Sequence, residues 1–185
     1  MHGLSRTLSW LLLVAAVSWP GAGPTLAGPT TLPPTHLLAI AESTRLKLLA
    51  CLARGDIVGA LAMYETHTGH PPPSWLQNLQ VAYDVSSQAI NKCQHVARTI
   101  HTAFQRLDQT PQYIALRARQ GYDFMTFDLT TGKSPTVTNN GYHVAVMLEG
   151  KVYDAYTGPL GMKLADYLGR LHAPAGVGWH VVTTP

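Results

Sequence analysis

The segment from Tyr142 to Gly158 constrains the fold of this chain more than any other, because its pattern is that of a β-hairpin. Apolar and polar side chains alternate on both sides of a two-residue turn at Glu149-Gly150, and such alternation is typical of paired strands. A turn at this position pairs Met147 with Val152 across the hairpin. The register of the two strands is therefore predicted together with the strands themselves.

This register brings two polar side chains together. His143 lies diagonal to Asp154 on the same face of the hairpin, within reach of its carboxylate. A carboxylate beside an imidazole fixes the tautomer of the ring and stabilises its cation. A histidine held in this way can convert a nearby thiol into a thiolate.

Cys93 is a suitable thiol, because it begins a pattern with helical spacing upstream of the hairpin. The apolar stripe of this helix continues through Val96, Ala97, Ile100, Phe104 and Leu107. Asn91 is the predicted N-cap, which places Cys93 in the first turn. There the free backbone N–H groups and the positive end of the helix dipole favour the thiolate.

The order of these residues along the chain predicts a thiol hydrolase. Cys93 is the expected nucleophile, His143 the general base and then acid, and Asp154 the group that orients the imidazole. Backbone N–H groups at the helix start can stabilise the oxyanion of acyl transfer, and Gln88 and Asn91 are candidate side-chain donors. No metal or organic cofactor is implied.

The rest of the chain has an α+β layout. Helical spacing predicts helices over 36–54, 57–65, 74–86, 93–107 and 160–171. Period-two patterns predict strands over 113–117, 122–128, 142–148, 151–156 and 179–182. We therefore expect an α+β fold in which the helix-start cysteine packs on an antiparallel sheet. The predicted parts are a signal peptide (1–27), a Pro-rich linker (28–35), a helical extension (36–85) and a catalytic domain (86–185).

The first 27 residues have the layout of a secretory signal peptide. Arg6 precedes an apolar run from Leu8 to Trp19, and small residues end at Ala27, after which we expect cleavage. The apolar run is shorter than the ~20 residues that a transmembrane helix needs. We expect a secreted or periplasmic protein with no stable membrane insertion after the signal is removed.

The charge of the chain argues against nucleic acid as a partner. Lys and Arg number 13 against 10 Asp and Glu, and charged residues make up only 12% of the chain. No run of basic residues appears, so electrostatic capture of a phosphate backbone is not expected.

Two segments resemble a known group of proteins. The segments "KCQHVARTI", which contains Cys93, and "NNGYHVAVMLEGKVYDAYTGPLG", which starts at Asn139, resemble the papain-fold toxin families of bacterial polymorphic toxins and secreted effectors. The resemblance covers roughly residues 86–165. It implies a papain-like, NlpC-related fold with Cys93, His143 and Asp154 as catalytic triad. It also implies a toxin or effector that acts as a protease or glutamine deamidase on a protein substrate, and it brings an immunity protein into consideration as a partner.

Two alternatives remain open from the residues. NlpC-type peptidases also place a cysteine at a helix start and a histidine on a following strand, so an exported endopeptidase or amidase acting on peptidoglycan is one of them. The other is a non-enzymatic secreted domain in which Cys51 and Cys93 form a disulfide. In that case His143 and Asp154 are a buried polar pair.

Overall fold

The structure is a computed structural model, and it describes residues 40–185. The predicted signal peptide (1–27) and linker (28–35) lie outside these residues. Within 40–185, none of the helices combines the length and the hydropathy that crossing a bilayer requires.

Five α-helices lie in the described part of the chain. They are α1 (Glu42–Leu52), α2 (Ile57–Thr68), α3 (Ser74–Ala82), α4 (Cys93–Arg106) and α5 (Leu164–Arg170). Each corresponds to a predicted helix. The third is shorter than predicted, because the chain leaves it at Tyr83 and forms a 3-10 turn at Val85–Ser87. Asp84 caps this turn by accepting the Ser86 N–H at 2.7 Å.

Within residues 40–185, eight strands form two sheets in which every pair is antiparallel. The larger sheet has the order β6-β5-β4-β1-β8 and comprises β1 (Gln112–Ala118), β4 (Tyr142–Leu148), β5 (Lys151–Tyr153), β6 (Met162–Lys163) and β8 (Val177–Val182). The smaller sheet has the order β3-β2-β7 and comprises β2 (Met125–Phe127), β3 (Thr136–Thr138) and β7 (Leu171–His172). The α+β class is therefore confirmed.

The strands β4 and β5 form the predicted hairpin. Glu149 and Gly150 have positive φ values of 50° and 75°, as a two-residue hairpin turn requires. Met147 pairs with Val152, which is the predicted register. The second strand of the hairpin ends at Tyr153, so Asp154 lies in the loop just beyond it and not inside a strand that continues to Tyr156.

Strand β4 lies between two hydrophobic clusters. Val144, Val146 and Leu148 belong to a cluster that also contains buried side chains of α1, α2, α3 and α4. Ala145 faces the opposite way, into a cluster formed with β1, β2, β3, β5, β7 and α5. The predicted helical extension therefore shares one core with α4 and β4, which carry the Cys93 and His143 side chains.

Candidate active site

The hairpin brings His143 and Asp154 together in the interior, as the sequence pattern predicts. Nε2 of His143 lies 3.0 Å from Oδ2 of Asp154. The two residues are only 1% and 2% exposed. Because water is excluded, each group depends on its protein neighbours for hydrogen bonds and for charge compensation.

Four hydrogen bonds hold the Asp154 carboxylate. Oδ1 accepts the backbone N–H groups of Tyr156 at 2.8 Å and Thr157 at 2.9 Å. Oδ2 accepts the hydroxyl of Tyr167 at 2.6 Å in addition to the His143 ring. Burial alone would raise the pKa of Asp154, but the bonds from His143, Tyr167 and Thr157 lower it below its ordinary value. The carboxylate is therefore ionised and acts only as an acceptor.

An ionised carboxylate fixes the tautomer of His143. Because Asp154 can only accept, Nε2 of the ring carries the hydrogen, and Nδ1 is the acceptor in the neutral imidazole. Nδ1 is buried and makes no hydrogen bond to any of residues 40–185. Cys93 lines the same small cavity as this ring. The basic nitrogen is thus the one available to the thiol.

Cys93 is the first residue of α4 and is half-buried. The predicted position in the first turn is correct, but the predicted cap is wrong. Lys92 precedes the helix, no side chain caps it, and Asn91 lies one residue further out with a φ of 68°.

The pKa values of the Cys93 thiol and the His143 imidazole are shifted in opposite directions. Burial would raise the pKa of Cys93, but the neighbouring ring of His143 and the nearby N–H groups of Val144 and Gln94 lower it. Burial would lower the pKa of His143, but the hydrogen bond with Asp154 and the neighbouring thiol of Cys93 raise it to about 9. Because the pKa of the thiol falls and that of the ring rises, the arrangement favours a thiolate–imidazolium pair.

The two candidate oxyanion donors have different surroundings. The side-chain amide of Gln88 donates to the carbonyl of Ala155 at 3.0 Å, and its backbone carbonyl accepts the hydroxyl of Tyr156 at 3.1 Å. These two hydrogen bonds connect the end of the 3-10 turn to the loop that contains Asp154. The second hydrogen of the Gln88 amide remains available to another acceptor. Asn91 is exposed to solvent.

A small cavity of about 10 Å³ lies at the centre of the site. It is lined by Ser87, Ala89, Cys93, Val96, Val137, His143, Asp154, Ala155 and Tyr156. This volume is about that of one water-sized probe. The histidine and the carboxylate therefore act in a largely dry environment, where charge interactions are stronger than in bulk water.

The hydroxyl of Tyr167 is the part of the site that sequence reasoning missed. Tyr167 is fully buried on α5, and its spacing identifies it only as a core residue of that helix. Its contact with Asp154 depends on how α5 packs against the hairpin. No local pattern indicates such a contact in advance.

Both cysteines are free thiols in the structure. Cys51 is buried in α1, where a guanidinium nitrogen of Arg54 lies 3.7 Å from its sulfur. Cys93 is at the start of α4, beside His143. The arrangement around Cys93 is therefore that of a thiol next to a base.

Within residues 40–185, His, Cys, Asp and Glu side chains form no group of three or more that could hold a metal ion. Comparisons of the chain with protein-family models, with characterised proteins and with solved structures gave no match.

Proposed function

We propose that the protein is a cysteine hydrolase with a papain-like, NlpC-related fold that acts on an amide bond of a protein substrate. The observation that carries this proposal is the buried His143–Asp154 pair, whose remaining ring nitrogen is available to the thiol of Cys93 at a helix start. The chemistry is peptide cleavage or deamidation of glutamine, and the role is that of an exported toxin or effector.

The first half of the reaction forms a thioester. The Sγ thiolate of Cys93 attacks the carbonyl carbon, and the electrons of the C=O double bond move to the oxygen. Backbone N–H groups in the first turn of α4 stabilise this oxyanion. The His143 imidazolium then gives its proton to the leaving nitrogen, and the C–N bond breaks to release an amine or ammonia.

The second half regenerates the enzyme. The neutral His143 takes a proton from water, and the hydroxide adds to the thioester carbon. The C–S bond then breaks, which releases the acid and restores the thiolate and the imidazolium. Asp154 keeps Nδ1 directed towards the sulfur in both halves and stabilises the ring each time it becomes charged.

A groove beside the site supports a polypeptide as the substrate. Its volume is about 740 Å³, and it is lined by Val85 and Gln88 together with residues 129–131 and 133–135. Ser87 and Ala89, the two chain neighbours of Gln88, line the catalytic cavity. The groove is therefore adjacent to this cavity. The groove has the size of a typical binding cleft, and Val85 offers it an apolar side chain that is 78% exposed.

The proposal is tested by incubating the protein, and its Cys93→Ala variant, with an unfolded protein substrate such as casein. Mass spectrometry then detects new amino termini, which identify a peptidase, and conversion of glutamine to glutamate, which identifies a deamidase. We expect one of these products from the native protein and none from Cys93→Ala. Equal product from both would refute a role for the thiol.

The same pair of proteins is incubated with purified bacterial cell walls. Release of muropeptides that depends on Cys93 would support the proposed cysteine chemistry and would identify peptidoglycan, not protein, as the substrate.

A further inference from the structure

A groove of about 390 Å³ lies between α3 and α4. It is lined by Ser74, Trp75 and Asn78 of α3 and by His95, Arg98, Thr99, Thr102 and Arg106 of α4. None of these residues lines the catalytic cavity. The groove is therefore a separate surface feature, and we refer to it as the α3–α4 groove.

The basic side chains of the α3–α4 groove lie on one side of α4, together with Thr102. His95, Arg98, Thr102 and Arg106 follow each other at spacings of three and four residues, which places them on the same side of the helix. All four are exposed to solvent. With a rise of ~1.5 Å per residue, Arg98 and Arg106 are roughly 12 Å apart along the helix axis.

These two guanidinium groups have no carboxylate partner within residues 40–185. The ion pairs of the structure involve Arg45, His143 and His172 instead. No lining residue of the α3–α4 groove is acidic. The chain also contains no Asp or Glu before Glu42, so the preceding segment has no side-chain carboxylate to offer.

We propose that the α3–α4 groove binds an acidic segment of a partner protein. The planar guanidinium groups of Arg98 and Arg106 bind carboxylates in a two-pronged geometry, and two uncompensated charges attract an acidic chain over a distance. The hydroxyls of Thr99 and Thr102 add hydrogen-bonding groups between them, and the half-buried Trp75 adds apolar surface. This inference does not depend on the catalytic chemistry.

Protein is favoured over nucleic acid as the partner by the number of cations. Binding of a phosphate backbone rests on several Lys and Arg contacts, with roughly 6–10 in a typical duplex complex. The α3–α4 groove offers two arginines, and the whole chain has a net formal charge of only +3.

The test uses the full chain carrying Cys93→Ala, so that the probe is not consumed. The probe is a fluorescein-labelled poly-glutamate peptide of twelve residues, and binding is followed by fluorescence anisotropy at low salt. We expect saturable binding that the double variant R98A/R106A weakens by more than two-fold and up to roughly thirty-fold, the range for loss of two exposed ion pairs. The variant R119A/K163A removes the same number of charges from exposed residues outside the groove and is expected to bind within about two-fold of the parent.

Three results would overturn the proposal. The first is the absence of saturable binding, and the second is equal weakening by both double variants, which indicates attraction by net charge alone. The third is tighter, Arg98- and Arg106-dependent binding of a labelled thymidine dodecamer, which makes nucleic acid the partner. Thermal unfolding of both double variants is measured alongside, and unchanged midpoints exclude misfolding as the cause of weaker binding.

Discussion

At the scale of single residues, Asp154 determines what His143 can do. Its carboxylate is saturated by two backbone N–H groups, a tyrosine hydroxyl and the ring itself. A carboxylate held in this way stays ionised and fixes the proton of the ring on Nε2. Contacts on the far side of the ring therefore leave Nδ1 as the basic nitrogen of His143.

Two buried tyrosine hydroxyls near this site differ in their partners, and this difference gives a matched pair of variants. Tyr167 donates to Asp154 at 2.6 Å, whereas the hydroxyl of Tyr83 is buried with no hydrogen-bond partner within 40–185. Tyr167→Phe should lower the free energy of unfolding by about 1.5–3 kcal/mol, because it removes a hydrogen bond to a charged group. Tyr83→Phe should leave it unchanged or raise it by up to about 1 kcal/mol, because it removes a polar group that burial penalises.

Urea unfolding of the two variants measures this difference. Tyr167→Phe should also raise the pKa of Asp154, because the hydroxyl is one of the groups that lowers it. Equal losses of stability in the two variants would show that the hydroxyl of Tyr167 makes no special contribution.

At the scale of secondary structure, the entry into β4 is the most constrained backbone near the site. Gly141 has a φ of 67°, and a methyl group in place of its hydrogen would collide with the backbone carbonyl of Tyr122. Gly150, in the hairpin turn, has a φ of 75° but faces open space. An alanine at Gly150 therefore tests the cost of a left-handed backbone alone, whereas an alanine at Gly141 adds a steric clash to that cost.

Gly150→Ala should cost about 1–2 kcal/mol, which is the penalty for a left-handed L-residue. Gly141→Ala adds a clash with backbone and should cost about 4 kcal/mol or more. Because His143 lies two residues beyond Gly141, this variant should also lose the proposed hydrolytic activity. Denaturation midpoints and activities of the two variants check this, and equal stability losses would contradict the role of the Tyr122 carbonyl.

The sequence predicted the elements whose patterns are long and local. The helix from Cys93 and the hairpin with its turn at Glu149-Gly150 were predicted correctly, because periodicity and turn chemistry specify both. Strands β6 and β7 were missed, because each has two residues and alternation cannot be recognised over such a length. Strand β3, with three residues, was missed for the same reason.

The contacts around His143 divide in the same way into those that local sequence can predict and those that it cannot. His143 and Asp154 are neighbours in a hairpin, so their contact follows from local register. The contacts of Tyr167 with Asp154, and of Gln88 with Ala155, join residues from separate elements and depend on tertiary packing. The cap of α4 was predicted one residue too early, because Asn91 has the usual side chain for this role but a left-handed backbone.

At the scale of the whole molecule, the buried site also affects stability as a function of pH. The folded-state pKa of Asp154 is below its reference value of 3.8, so its contribution is present above about 3.8 and is lost as the pH falls through the folded pKa. The pKa of His143 rises from 6.5 to about 9, so its contribution is complete below 6.5 and is lost as the pH rises through about 9. The pKa of Cys93 is lowered from 9.0, so its thiolate adds stability as the pH rises towards 9.0 and partly offsets the stability lost through His143.

The free energy of unfolding should therefore be greatest between about pH 4 and pH 6.5. Asp154→Asn should be less stable at this maximum, because the amide cannot replace the charge. It should also lose less stability than the native protein as the pH falls below about 4, because it has no carboxylate to protonate. Urea titrations at a series of pH values measure both effects. If the free energies of unfolding of the native protein and of Asp154→Asn fell equally below about pH 4, the pKa of Asp154 would not be depressed in the folded state.

We propose that His143, oriented by Asp154, activates Cys93. This activation is tested most directly by the rate of alkylation with iodoacetamide between about pH 5 and pH 10, read by peptide mass spectrometry, with the buried Cys51 as an internal reference. In the native protein, labelling of Cys93 should rise with an apparent pKa below its reference value of 9.0. In His143→Ala the apparent pKa should move upward, because the pairing is lost while burial persists. The same apparent pKa in both proteins would contradict the claim and would leave Cys93 an ordinary thiol at a helix start.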